Sequence, residues 1–252
     1  VAVKRLRRAP RCSKTRHMAA EQPRVLDSIV DGLRFETLTL SRAEEAYALQ
    51  AEAFADEPAS AFTLADRAAR LEECKRFSGM FTEECAGNGL SVACIEASTD
   101  KMVGALWIRD FRAPMHPSFE EILSKLTNLG KVIDVLVQVD GMYDALRPEV
   151  VGLGKAADLW MLAVHPDHRR KNIASKLTDI GLAHAHAAGF EVVVLESTGA
   201  FSARCAAKAG MHEIAGIDYA DERQVHKELA GLQATPHTRL RIWESRREVA
   251  AK

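Results

Sequence analysis

A hydrophobic run, a basic turn and an amphipathic helix follow one another between Leu159 and Leu177. The turn carries Arg169, Arg170 and Lys171, and the helical pattern begins directly after it. The first N–H groups of a helix have no partner inside the helix, and the helix dipole favours negative charge at that end. Residue types in this order therefore predict a binding site for a pyrophosphate group.

The spacing within this turn is that of a known loop. Val164-x-Pro166 is followed by Arg169-x-x-Asn172-x-Ala174. This pattern resembles the acetyl-CoA loop of the GNAT N-acetyltransferase superfamily. An ordinary basic start of a helix is the alternative interpretation.

The resemblance implies that the loop and the preceding strand bind acetyl-CoA. In the family, the loop amides hold the pyrophosphate, while the splayed strand binds the pantetheine arm and the thioester carbonyl. The implied residues are Leu162, Ala163, Val164, Arg169, Arg170, Lys171, Asn172, Ile173, Ala174 and Ser175. The family has glycine where this chain has Asn172, and asparagine is the next residue most tolerant of a left-handed backbone.

The segment at positions 53–58, AFADEP, narrows the resemblance to the arylalkylamine N-acetyltransferases of the insect dopamine N-acetyltransferase type. Their Phe-x-Asp-Glu-Pro motif ends the first helix and contains the catalytic base, which implies that role for Glu57. An amine must lose a proton to attack a thioester, and a partly buried carboxylate can accept that proton directly or through ordered water. The alternative is a helix terminator with a solvated carboxylate, because Pro58 forces the preceding residue out of the helical conformation.

Two hydroxyl side chains, Thr198 and Ser202, lie four residues apart. The family has a hydroxyl pair at the matched positions, so the resemblance implies that either one hydrogen-bonds the substrate or protonates the departing CoA thiolate. Many members of the superfamily use a tyrosine on this helix, but the nearest position here is Ala206. Helix capping is the alternative for both hydroxyls. Positions 234–237 (Ala-Thr-Pro-His) also resemble the family, as support for the likeness and not as a site.

These residues need a framework, and the first half of the chain predicts part of it. Alternating apolar residues over Leu33–Leu40 predict the first strand. Ser41 and Glu44 predict a capping box for the helix that ends before Pro58. A second helix is expected from Thr63 to Cys85. Two β-rich runs, at 90–97 and 102–111, predict a hairpin.

The second half predicts strands and helices separated by glycine stops. They are a strand at 158–164, a helix at 172–188, a strand at 191–196, a short helix at 198–209 and closing strands at 211–219 and 239–245. Strand–helix–strand units imply parallel pairing and hairpins imply antiparallel pairing. We therefore expect an α/β (mixed α+β) GNAT acyl-CoA N-acyltransferase fold, with a single mixed, mostly antiparallel sheet flanked by helices. One domain is expected over 25–252, with a helical insertion at 112–156.

The charge is distributed unevenly. The chain has 34 basic and 35 acidic residues, and seven of the basic ones lie in residues 1–20, which contain no acid. The acidic remainder argues against nucleic acid as a partner and suits a cationic small molecule. The leader 1–24 is expected to be disordered, either as an organelle transit segment or as sequence upstream of a start at Met18. The expected compartment is the cytoplasm, or an organelle if the leader is a transit segment.

Other residue patterns exclude further classes. The five cysteines are odd in number and form no CxxC pair, which predicts free thiols in a reducing compartment. No apolar run approaches the ~18–20 residues needed to cross a bilayer. His184 and His186 are two apart on a helix and do not share a face, so we expect surface histidines and no metal site.

The expected function is that of an acetyl-CoA-dependent N-acetyltransferase acting as a monomer. Acetyl transfer to a small primary amine would occur by direct attack in a ternary complex, with no covalent intermediate on Cys205. The resemblance implies arylalkylamines such as serotonin, dopamine or tryptamine. The alternatives are an enzyme for polyamines, aminoglycosides or a protein N-terminus, and a catalytically silent module that binds acyl-CoA.

Overall fold

One eight-stranded sheet forms the centre of the computed structural model, which describes residues 22–247. The strands are β1 (Val25–Val30), β2 (Leu33–Thr37), β3 (Val92–Glu96), β4 (Lys101–Asp110), β5 (Ala156–Val164), β6 (Val192–Ser197), β7 (His212–Asp218) and β8 (Arg239–Arg246). Their order in the sheet is β1-β2-β3-β4-β5-β6-β8-β7. Only β5 and β6 pair in parallel, so the expected single, mixed and mostly antiparallel sheet is confirmed. The disorder expected for most of the leader concerns residues 1–21, which lie outside the described residues.

Helices cover both faces of this sheet. They are α1 (Ala43–Ala55), α2 (Pro58–Thr63), α3 (Arg67–Gly79), α4 (Thr82–Gly87), α5 (Phe119–Leu123), α6 (Leu129–Leu146), α7 (Ile173–Ala187) and α8 (Ala200–Lys208). Helices α1, α5 and α6 pack on one face, around Trp107 and Met161. Helices α7 and α8 pack on the other face, around Leu106 and Val193. Within the described residues, no helix has the length and apolar character required to cross a membrane.

Three local predictions in the first half are wrong. The strand predicted at 33–40 ends at Thr37 and is preceded by β1, which the sequence pattern did not indicate. Ser41 forms no capping box, because the helix begins after Arg42 and the Ser41 hydroxyl pairs with that of Thr39. The helix predicted at 63–85 begins later and is divided. Asp66 caps α3 at Arg67 by accepting from the amides of the first turn, and α4 begins separately at Thr82.

The prediction of surface histidines is wrong for His184. Its side chain projects from α7 and is buried against the loop before β3. Its Nε2 donates to the carbonyl of Gly89 at 2.9 Å. Arg24 donates to the other ring nitrogen, Nδ1, at 3.2 Å. Both ring nitrogens are therefore used to fix α7 against the edge of the sheet. The four described cysteines are buried free thiols, as expected.

Strands β5 and β6 pair over only a short distance. The parallel ladder joins Ala156–Asp158 to Val192–Val194 and then stops. Beyond it, β5 continues to Val164 and β6 to Ser197, each held only by its antiparallel neighbour on the outer side. The two strands therefore diverge, and one backbone edge of each faces a gap in the middle of the sheet. The resemblance implied this separation for β5.

The helical insertion is fixed to the sheet by a buried hydrogen bond. The Tyr143 hydroxyl on α6 donates to Glu244 Oε2 on β8 at 2.6 Å. Arg147 and Arg246 also donate to this carboxylate, which is 5% exposed. Helix α6 is thereby held against β8.

Removing this hydroxyl should loosen the insertion. We expect Tyr143→Phe to lower the free energy of unfolding by about 1–2 kcal/mol, because a buried charged acceptor loses a donor. The fall in Tm should be roughly 2–8 °C in a thermal melt. Tyr47→Phe on α1, where a half-buried tyrosine loses the same group, is the matched control. Equal Tm values for Tyr143→Phe and the wild type would contradict the role given to this bond.

Candidate active site

A cavity of about 730 Å³ opens where β5 and β6 diverge. Its wall contains the end of β5, the turn after it, the start of α7, the end of β6, α2 and the middle of α6. These elements come from distant parts of the chain, and the gap in the sheet brings them together. Most of the predicted site residues lie in its wall.

One side of the cavity is formed by nine of the ten residues expected to bind acetyl-CoA. They are Leu162, Ala163, Val164, Arg169, Arg170, Asn172, Ile173, Ala174 and Ser175. The tenth, Lys171, is exposed and is absent from the wall.

The turn before α7 has an unusual backbone. Asn172 lies in the left-handed region with φ 61°, and Arg170 does so with φ 64°. Asparagine tolerates this region better than other residues with a Cβ atom, which explains how the chain keeps the turn without the family's glycine. Helix α7 then begins at Ile173, and its first residues, whose amides lack partners within the helix, line the cavity.

These features fit a CoA-type ligand. The free inner edge of β5 offers peptide groups to an extended chain that carries amides, and the start of α7 favours an anion. The carbonyl of Met161 already accepts from Gln50 Nε2 at 2.9 Å, so this position of β5 is tied to α1. Arg169 and Arg170 add positive charge beside the helix start.

The other side of the cavity contains Glu57. It precedes α2 as the N-cap residue, and its Oε2 accepts from the Ser60 amide at 2.9 Å. The Thr198 hydroxyl donates to Oε1 at 2.7 Å. Glu57 is therefore both a helix cap and a carboxylate in the cavity wall. Burial raises the pKa of Glu57 above its ordinary value, while the hydrogen bonds from Ser60 and Thr198 oppose that rise.

The two predicted hydroxyls have different surroundings. Thr198 reaches across the cavity to Glu57, and its own carbonyl accepts from the Tyr219 hydroxyl at 2.8 Å. Ser202 lines the cavity, and its hydroxyl donates back to the carbonyl of Gly199 at 3.2 Å. Thr198 is thus paired with the candidate base, whereas Ser202 makes the local contact expected of a residue in the first turn of a helix.

His237 belongs to the cavity wall, although the sequence offered it only as part of a supporting motif. Its Nδ1 accepts from the Ala200 amide at 3.2 Å, and its ring contacts Phe201 at 4.8 Å between centroids. A Cβ atom on Gly199 would lie 2.5 Å from this nitrogen, so glycine is required there. Burial lowers the pKa of His237, which favours the neutral ring that this contact needs.

Three carboxyl groups in the wall were missed by the sequence analysis. Asp158 lies on β5, Glu196 on β6 and Asp140 on α6. Burial raises the pKa of all three, and negative charge on neighbouring acids raises it further. A signal was available in the sequence, because a charged residue inside a strand buried on both faces is unusual.

Known proteins resemble the part of the chain that forms this site. A family model described as the acetyltransferase (GNAT) family matches residues 138–211, which include β5, the turn, α7 and α8. No curated protein matches the chain. The likeness to solved structures spans most of the chain, at low identity.

Three solved structures illustrate the likeness. A mosquito arylalkylamine N-acetyltransferase like 5b has a TM-score of 0.63 at 16% identity, covering 85% of this chain and 100% of that one. Arylalkylamine N-acetyltransferase 2 from Aedes aegypti has a TM-score of 0.62 at 21% identity, covering 86% and 99%. A Drosophila melanogaster polyamine N-acetyltransferase has a TM-score of 0.62 at 18% identity, covering 85% and 100%.

The predicted resemblance and fold are therefore confirmed. The chain has the GNAT fold in the form found in insect arylalkylamine N-acetyltransferases. The family model and the fold also support the expectation of an acetyl-CoA-dependent N-acetyltransferase. Identities this low carry no information on the substrate.

The left-handed turn gives a test of the donor side. Asn172→Val should raise the Kd for CoA by roughly tenfold, because a β-branched residue destabilises the left-handed conformation by about 1–2 kcal/mol and so displaces the loop amides. Asn172→Gly is the matched control and should bind CoA at least as tightly as the wild type. Isothermal titration calorimetry measures both values. Unchanged affinity in Asn172→Val would remove the turn from the binding site.

The missed carboxyl groups predict how stability depends on pH. The raised pKa of Asp158 means that the folded state holds a proton that the unfolded state releases, so stability falls as pH rises from about 4 towards the raised pKa. The charged groups around Asp158, Asp140 and Glu196 are Asp144, Arg109 and Arg112.

Asp158→Asn removes this penalty. Urea unfolding measures the free energy of unfolding of the variant minus that of the wild type. This difference should be at least about 1 kcal/mol larger at pH 8 than at pH 4. Glu52→Asn, which removes an exposed carboxylate on α1, is the control. A difference between Asp158→Asn and the wild type that stays constant with pH would contradict the raised pKa.

Proposed function

We propose that this protein transfers an acetyl group from acetyl-CoA to a small primary amine by direct attack in a ternary complex. The observation that carries the proposal is the position of Glu57. It is a partly buried carboxylate, hydrogen-bonded to Thr198, in the same cavity as the free edge of β5 and the start of α7.

Each side of the cavity has its own task in this proposal. Bound acetyl-CoA supplies an activated acetyl group. The amides of the turn and of the start of α7 bind its pyrophosphate, with Arg169 and Arg170 contributing charge. Residues 162–164 of β5 hold the pantetheine arm. The fixed positions of these groups orient the thioester towards the acceptor side and thereby reduce the entropy lost in the reaction.

Glu57 accepts the proton that the amine loses. The raised pKa of Glu57 brings its proton affinity closer to that of the amine, which favours transfer. Thr198 fixes the carboxylate through Oε1, and the Ser60 amide fixes it through Oε2. Ser202 is the second hydroxyl available to contact the substrate or to donate a proton to the thiolate of CoA.

A covalent intermediate on the protein is not part of the proposal. Cys205 also lines the cavity, 3.8 Å from Ser175 Oγ, but burial raises the pKa of its thiol. A thiol with a raised pKa is a poor nucleophile, since the thiolate is the reactive form. Direct attack by the amine is therefore favoured.

The cavity wall fits two classes of amine. Its aromatic members are Phe54, Phe77, Phe111, Phe119, Trp160 and Phe201, which suit the ring of an arylalkylamine such as serotonin, dopamine or tryptamine. The three buried carboxyl groups suit a polyamine. Both classes occur among proteins of this fold, in the mosquito arylalkylamine and the Drosophila polyamine N-acetyltransferases.

The Glu57→Gln variant tests the proposed base. Wild-type kcat/KM should rise with pH through the raised pKa of Glu57, because only the carboxylate accepts a proton. Glu57→Gln should lower kcat at least about tenfold at neutral pH and recover partly at high pH, where the amine is already neutral. Release of the CoA thiol is the measurement, with tryptamine, serotonin, dopamine and spermidine as substrates.

Glu52→Gln is the matched control, since Glu52 is an exposed carboxylate on α1 that pairs with Arg67. It should keep the wild-type rate and pH profile. A Glu57→Gln variant with the wild-type profile would eliminate Glu57 as the base. If no amine is acetylated while CoA still binds, the chain is a silent acyl-CoA-binding module.

A further inference from the structure

The three carboxyl groups missed in the sequence lie together at the base of the cavity. Asp158 is the last residue of β5 to pair with β6, opposite Val194. Side chains alternate along a strand, so Glu196 points to the same face as Val194, which is the face covered by α6. Asp140 on α6 lies beside Glu196, close enough for the two carboxyl groups to share a proton. We call this group the acidic cluster.

The acidic cluster lacks donors. Oδ1 of Asp158 is buried without a hydrogen-bond partner among the described residues, and the Asp140 and Glu196 carboxyl groups receive no N–H donor and face each other. Asp158 is only 5% exposed. Buried polar atoms are nearly always paired, because an unpaired one loses its hydration and gains nothing in return. The unpaired Asp158 oxygen, in a residue of the cavity wall beside two further acids that lack N–H donors, indicates a ligand that brings such donors.

The nearest cation does not supply those donors. The Arg109 guanidinium is buried and donates to Glu84 and to the carbonyls of Ala113 and Pro114. Its plane also lies over the Trp160 ring, 4.4 Å from the centroid. Arg109 therefore offsets the negative charge from a distance. Arg112, the other cation near the acids, donates to Asp144 and to the carbonyl of Val150, so both cations are used elsewhere.

Within the proposed function, on which this inference rests, we propose that the acidic cluster binds a second cationic nitrogen of the substrate, one that is not acetylated. The preferred acceptor is then a short aliphatic diamine or polyamine. A protonated amine brings three N–H donors and one positive charge, which matches the donors and the charge that the cluster lacks.

The spacing supports a short chain between the two nitrogens. Thr198, which holds Glu57, lies two residues beyond Glu196, or about 7 Å along the strand direction. The reacting nitrogen lies near Glu57 and the second nitrogen near Glu196. Extended putrescine or cadaverine has a comparable distance between its nitrogens. The aromatic side chains of the wall then enclose the methylene chain between them.

Cadaverine and hexylamine test the subsite, because they differ only in a terminal ammonium in place of a methyl group. We expect wild-type kcat/KM to be at least about tenfold higher for cadaverine. Asp158→Asn and Glu196→Gln should each lower kcat/KM for cadaverine at least about fivefold more than for hexylamine. Glu52→Gln should leave both substrates unchanged.

Ligand-induced stabilisation gives a second measurement that does not require turnover. Cadaverine should raise the Tm of the wild type, and it should raise that of Asp158→Asn much less. Hexylamine should have a smaller effect on both proteins. This comparison also controls for folding, since Asp158→Asn must show its own cooperative melt.

The outcomes separate the subsite from the reaction itself. If the wild type acetylates hexylamine and cadaverine equally, or if the variants lower both equally, the second-cation subsite is wrong and the acetyltransferase proposal stands. A clear preference for tryptamine over cadaverine that survives in Asp158→Asn also overturns the subsite. If no amine is acetylated, the proposed function fails, and the melting comparison still decides whether the cluster binds a diamine.

Discussion

The divergence of β5 and β6 is the constraint on which the rest of the structure depends. Each residue of β5 beyond Asp158 keeps its bonds to β4 but has no partner in β6. Leaving such backbone groups unpaired inside a protein is costly, so a sheet that opens in its middle needs a ligand or water to complete it. The gap also separates the helices on the two faces, and the cavity lies between them. A continuous β5–β6 ladder would close the site altogether.

The acceptor side depends on several elements that meet at the end of β6. Glu57 begins α2, and Thr198 follows β6 directly. Tyr219, just after β7, fixes the carbonyl of Thr198, and His237, just before β8, holds the start of α8. The carboxylate is therefore held by the Ser60 amide and the Thr198 hydroxyl, while Tyr219 and His237 fix the backbone on either side of Gly199. The extended backbone of Glu57 before α2 places its side chain both over the first turn of that helix and in the cavity wall.

How far the sequence can predict this structure depends on the range of the interactions. The turn at 165–175 and the mixed sheet followed from local patterns, because charge, strand periodicity and glycine stops are all local. The left-handed conformation at Asn172 could also be predicted, since few residue types with a Cβ atom adopt it readily. Strand β1 and the break before α3 were missed, because pairing with β2 and the Asp66 cap outweigh weak local preferences. The acidic cluster was beyond local patterns, since Asp140, Asp158 and Glu196 meet only in three dimensions.

The cavity is built from two parts of the chain that can change independently in evolution. The donor side comes from one continuous segment, from β5 to the first turn of α7. The wall opposite comes largely from α2 and from α6, within the helical insertion at 112–156. A substitution or a shift of α6 can reshape the acceptor pocket while the segment that binds the common acyl donor stays intact. Such a division lets a lineage acquire new acceptors by drift in one helix, with the Tyr143–Glu244 hydrogen bond keeping that helix on the sheet as its other residues vary.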